Sequence, residues 1–110
     1  AEDYEIVVFV GGAGAYREYY QNSFYLKIAQ LAKRLAAICI APAILADSGI
    51  FKGKKVTSWN DQQDTQKKYL QESGAIFEES DLVIDGIFIT ANGPNAAEKF
   101  GQAILYQLTI

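Results

Sequence analysis

Ile6 to Val10 reads IVVFV, five β-branched or aromatic residues with no polar residue among them, and GGAGA follows at once. A strand with one wet face alternates apolar and polar positions, so an unbroken run predicts a strand covered on both faces in a parallel sheet. Parallel neighbours cannot be joined by a tight turn and need crossover connections, usually helical.

The chain supplies such connections. From Ser23, a cap residue, Phe24, Ile28, Leu31 and Leu35 fall at helical intervals, with Lys33 and Arg34 in the last turn. Leu35 to Cys39 predicts the next buried strand, and Pro42 suits the first turn of a helix that Gly49 ends. Lys54 to Ser58 (KKVTS) reads as a third short strand; Asn60 or Asp61 then caps a helix running to about Glu72, with Gly74 behind it. LVID and IFIT flank Asp85-Gly86, a two-residue turn needing positive φ, and predict a β-hairpin. Gly93-Pro94-Asn95 opens a last helix with Ala97, Phe100, Ile104 and Leu108 inward. The fold class is therefore α/β, an open, mostly parallel sheet sandwiched by helices, with a hairpin near the C-terminus. Residues 1–110 form one domain. The first strand looks central, yet few residues precede it, so an N-terminal strand-helix section is expected to be missing.

Composition limits the function classes. A net charge of -3, with ten Lys and Arg among thirteen carboxylates, offers no basic stripe for nucleic acid. No apolar run approaches the roughly 20 residues that span a bilayer, so neither a membrane nor nucleic acid is an expected partner. One cysteine and no histidine leave no ligand set for zinc or haem, and no metal or cofactor is expected. A single thiol also favours a reducing cytoplasm.

That thiol, Cys39, stands where an apolar run meets Ala41-Pro42-Ala43. A residue on a tight strand-to-helix turn is held in a strained conformation with its side chain above the sheet, and the free amides of the following helix favour an anion there. In open α/β sheets ligands bind beyond the carboxyl ends of the strands, where Gly11-Gly12 and Cys39 both fall. The plainer alternative is an inert, buried core cysteine. GGAGA fits neither a dinucleotide fingerprint, because Arg17 stands where the third glycine belongs, nor a P-loop. Its better use is to bring bare amides beside the thiol, where the N–H groups of Gly12 and Ile40 would hold an oxyanion; an ordinary strand-end turn is the alternative.

IVVFVGGAGA, AAICIAP, GKKVTS and IDGIFITANGPNAAEKFGQAI, in this order and spacing, resemble the ThiJ/PfpI family from about Tyr4 to the end. The resemblance implies a flavodoxin-like sandwich, a homodimer or higher oligomer, and a nucleophilic or redox-sensitive cysteine at Cys39. It also implies activities ranging from glyoxalase and deglycase chemistry through peptidase and chaperone action to oxidative-stress sensing. The peptidase-like branch has histidine directly after the cysteine, where this chain has Ile40, so peptidase activity is not expected. The deglycase-like branch draws a histidine from the loop that here reads Ser58-Trp59-Asn60-Asp61, with Trp59 at the matching position. The glutamate that the family sets against the sulfur belongs to the expected missing section, and Asn92 replaces an arginine that often precedes Gly-Pro. What survives is attack by the thiolate on a small reactive carbonyl or its adducts, or oxidation through sulfenic to sulfinic acid in a sensor or chaperone-like oligomer.

Gly11, Trp59 and Tyr16 are the pocket candidates. Tyr16 to Tyr25 is strongly aromatic and suits pocket walls, subunit contacts or burial under the following helix. Trp59 would roof the cysteine pocket or cover a sheet edge. Glu78-Glu79-Ser80-Asp81 reads as a solvated turn.

Overall fold

The computed structural model describes residues 6–11, 27 and 33–109. The helix expected from Ser23, the aromatic stretch from Tyr16, and Gly12 lie outside these, apart from Lys27, which is helical. In chain order the elements are β1 (Val7–Val10), β2 (Leu35–Ile38), α1 (Ala41–Leu45) running into a 3-10 turn at Ala46–Ser48, β3 (Lys55–Val56) and α2 (Thr65–Glu72). Next come β4 (Ile76–Phe77), β5 (Leu82–Asp85), β6 (Phe88–Ala91), a 3-10 turn at Pro94–Ala96 and α3 (Ala97–Thr109).

Four strands form the main sheet in the order β1-β2-β6-β5. β1, β2 and β6 are parallel, with Val7 opposite Leu35 and Leu35 opposite Phe88, and β5 returns antiparallel to β6. The flavodoxin-like reading holds. The two-residue hairpin loop lies one position later than its sequence suggests: Asp85 pairs with Phe88, leaving Gly86 (φ +60°) and Ile87 at the turn.

β2 is buried at all four positions and its side chains alternate between two cores. Leu35 and Ala37 join Phe9, Leu45, Phe51, Val56, Leu70 and Phe88 on one face. There the rings of Phe51 and Phe88 meet edge to face with centroids 5.3 Å apart. Ala36 and Ile38 join Ile89, Ala91, Ala96, Phe100 and Ala103 on the other, under α3. Both faces of β2 are thus covered, as its composition demands.

β1 departs from that expectation. It is the outermost strand on its side among the described residues, and Val8 and Val10 are 42% and 59% exposed while Phe9 is buried. Val8 and Val10 sit in register with Ala36 and Ile38, in the rows that α3 covers on β2 and β6. The helix packs over those two strands, and β1 lies beyond it.

β3 is shorter than KKVTS implies and, among the described residues, pairs in parallel only with β4, a strand the sequence pattern does not reveal. This small sheet is joined to the main one by side chains. The Lys55 N–H donates to Asp85 Oδ2 (2.8 Å) and the Thr57 N–H to Thr90 Oγ1 (2.9 Å).

Two helix boundaries also shift. α2 starts at Thr65, yet Asp61 Oδ1 accepts from the Thr65 N–H and Asn60 Oδ1 from the Lys67 N–H, so both expected cap residues satisfy first-turn amides from further upstream. In α3, Ala97 is exposed; the preceding 3-10 turn resets the helical phase so that Ala96, Phe100 and Ala103 face the core. Ile104 is partly buried against the same core, and the Leu108 side chain lies outside the described residues. Among the described residues no helix is long and apolar enough to cross a membrane.

Candidate functional site

β2 ends at Ile38, and the chain turns into α1 within two residues. Cys39 makes this corner at φ +64°, a left-handed conformation that L side chains with a Cβ rarely adopt, costing about 1–3 kcal/mol. Only Asp64 shares the feature among the described non-glycine residues. Ile40 follows as the N-cap with no side-chain cap, and Pro42, lacking an N–H, sits in the first turn.

Three hydrogen bonds hold the strained residue. The Cys39 N–H donates to the Ala91 carbonyl at the end of β6 (3.1 Å). The Cys39 carbonyl accepts from the Trp59 N–H (2.8 Å) and from Ser58 Oγ (3.0 Å), both just past β3. The carboxyl ends of β2, β3 and β6 therefore converge on one residue. Cys39 is a free thiol, partly exposed, with its inner side against the α3-side core.

The end of β1 completes the corner. The Gly11 N–H donates to the Ile38 carbonyl (3.2 Å). A Cβ built on Gly11 would stand 2.8 Å from the Ala41 nitrogen, 2.9 Å from the Ile40 nitrogen and 3.0 Å from the Ile38 oxygen. All three are backbone atoms, so only glycine lets β1 run this close to the start of α1. None of the hydrogen bonds among the described residues uses the Ile40 N–H. Gly12 and Tyr16, the other candidates, lie outside the described residues.

Trp59 stands next to the elbow through its backbone and is 46% exposed. It lines a cavity of about 430 Å³ together with Phe77, Asp61, Asp64, Glu79 and Asn92. Neither Cys39 nor Gly11 is among its walls, so Trp59 belongs to a hollow beside the cysteine corner. Glu79 is exposed, as its place in a solvated turn requires, and also forms part of this wall. Sequence reasoning missed the hollow. Its walls come from three separated stretches, around 57–64, 77–80 and 92, and no spacing within any one of them announces it.

Two buried hydroxyls brace the hollow. Thr57 Oγ1 donates to the Ser80 carbonyl (2.9 Å) while Thr90 Oγ1 receives the Thr57 N–H. Asp61 is fixed as well. Hydrogen bonds from Thr65, hydroxyl first and amide second, hold its carboxyl below the ordinary value, helped by the Gln63 amide and the charge of Lys68 and opposed by desolvation. No group of three or more His, Cys, Asp or Glu residues among the described ones could hold a metal ion.

The fold that carries this corner is shared with solved proteins. The DJ-1/PfpI family model matches residues 1–107. The chain belongs to the DJ-1/PfpI family. An uncharacterized protein of Methanocaldococcus jannaschii is 38% identical over 94% of this chain and 52% of its own length. Protein DJ-1alpha of Drosophila melanogaster is 34% identical over 96% of this chain and 49% of its own. Among solved structures, a ThiJ/PfpI domain protein from Brachyspira murdochii superposes with a TM-score of 0.83 at 26% identity, covering 97% of this chain and 61% of that one. The chain spans about half the length of the curated DJ-1/PfpI relatives it matches.

Proposed function

We propose that Cys39 is the nucleophile of a glyoxalase- or deglycase-like activity on small reactive carbonyls or their adducts. The observation that supports this reading is the left-handed backbone of Cys39, held by three hydrogen bonds between β2 and α1. An ordinary core cysteine gains nothing from such a conformation, whereas an elbow lifts its side chain out of the sheet. In the proposed step the sulfur adds to the aldehyde carbon of a 2-oxoaldehyde. A C–S bond forms, the carbonyl π electrons move to oxygen, and the thiol proton passes through water to that oxygen, giving a hemithioacetal. In this reading the Ile40 N–H and its expected partner, the Gly12 N–H, would bind the developing oxyanion. No histidine in this chain can move the proton, and Ile40 keeps the neighbourhood apolar, so peptide hydrolysis is not part of the reading.

A second reading rests on the same absence of an imidazole: an oxidisable thiol in a homodimer or higher oligomer, whose redox state a partner reads in the cytoplasm. Methylglyoxal consumption by the wild-type chain and by Cys39→Ser decides between them. Turnover that disappears in the variant supports the enzyme. No turnover in either, with Cys39 gaining two oxygen atoms under dilute peroxide by intact mass, supports the sensor. A thiol inert to both reagents removes both.

A further inference from the structure

The hollow beside the elbow has a composition of its own. Its volume, about 430 Å³, lies in the range of small-molecule sites. Two walls are aromatic, Trp59 and Phe77; three residues are acidic, Asp61, Asp64 and Glu79; and no lysine or arginine lines it. We propose that this cavity is a binding site for a small organic cation of the alkylguanidinium or alkylammonium class, stacked on Trp59 and compensated by the carboxylates.

Four observations lead there. The acidic residues form no group among the described residues that could hold a metal ion, which suits an extended cation better than a point charge. Two of them are held in place: Asp61 is pinned by the Thr65 and Gln63 amides, and Asp64 accepts from Asn60 Nδ2 (2.8 Å). Glu79 has no hydrogen bond or ion pair among the described residues, so one carboxylate on the wall is uncommitted. Finally, an aromatic wall already attracts an ammonium: Lys67 Nζ stands 6.0 Å from the Phe77 ring centroid, although Lys67 does not line the cavity. Trp59, a half-exposed wall residue, presents a larger and more electron-rich ring for the same interaction.

Trp59 is the only tryptophan in the chain, so its fluorescence reports on this site directly. Titration with n-butylguanidinium should give a saturable change, and n-butylurea, its neutral isostere, should bind about tenfold more weakly or not at all. The Asp64→Asn, Glu79→Gln double variant should weaken n-butylguanidinium by about tenfold and leave n-butylurea where it was. Asparagine tolerates the left-handed conformation of residue 64 and can still accept from Asn60, and the single variant Glu79→Gln, at an exposed position, gives the same comparison should the double variant not unfold cooperatively. Cys39→Ser should bind as wild type, so loss of carbonyl chemistry and loss of cation binding remain separate results. Equal binding of the urea and the guanidinium, no saturable response, or an unchanged affinity in the charge-neutral variants would overturn the proposal.

Discussion

Gly11→Ala adds one methyl group at the most crowded point of the elbow. That methyl would stand 2.8 Å and 2.9 Å from two backbone nitrogens and 3.0 Å from a carbonyl oxygen, distances below or at the limit of ordinary Cβ contacts. A flexible side chain could swing away, but these atoms belong to Ile38, Ile40 and Ala41, around a residue held by three further hydrogen bonds. β1 must therefore move off β2 or the start of α1 must give. Overpacking of this kind costs about 1–3 kcal/mol. For a chain of this length that lowers the thermal midpoint by roughly 4–12 °C. Gly101→Ala is the matched control: nothing lies within 4 Å of a Cβ there, on the exposed side of α3, and the same change should stabilise by about 0.5–1 kcal/mol. Urea denaturation of the two variants beside wild type, with the alkylation rate of Cys39 in each, tests both signs. If Gly11→Ala is as stable as wild type and its thiol reacts at the wild-type rate, the close approach of β1 to α1 is wrong.

Three further outcomes are expected. Cys39→Gly should be more stable than Cys39→Ala by about 1 kcal/mol, because glycine carries no penalty at positive φ; equal denaturation midpoints would remove the strain from the elbow. Thr90→Val leaves the buried Thr57 N–H without its acceptor and should cost about 1–3 kcal/mol despite the matched shape, read as a drop in urea midpoint at constant slope. Asp61 has a folded value below its ordinary 3.8, so its contribution to stability is fully present above that value and fades as pH falls through the folded one. Thermal midpoints of wild type and Asp61→Asn should accordingly differ at neutral pH and converge in acid, and a gap that stays constant would show that the charge is not what stabilises the fold.

The sequence carries the elbow plainly because the features that build it are local. An apolar strand, a lone thiol, small residues and a proline fall within a few positions, and each restricts the backbone by itself. The hairpin is similarly local, but its turn moved by one residue because Asp85 pairs with Phe88 while its carboxylate serves the Lys55 amide, a partner thirty positions away. β4 escaped notice since two residues cannot show a period, and Asp64 because nothing in its neighbours signals a left-handed aspartate. β1 misleads in the opposite sense. Its composition asks for cover on both faces, yet α3, set by contacts far along the chain, packs over β2 and β6, and Val8 and Val10 stay partly exposed.

The seam between the two sheets has an evolutionary consequence. A main-chain ladder such as the one between β1 and β2 is indifferent to side-chain identity, whereas β3 is fastened across the seam by one carboxylate and one hydroxyl. How firmly β3 is moored to the main sheet can thus be retuned one codon at a time, at Asp85 or Thr90, while Trp59 and Ser58 keep their own hold on the Cys39 carbonyl.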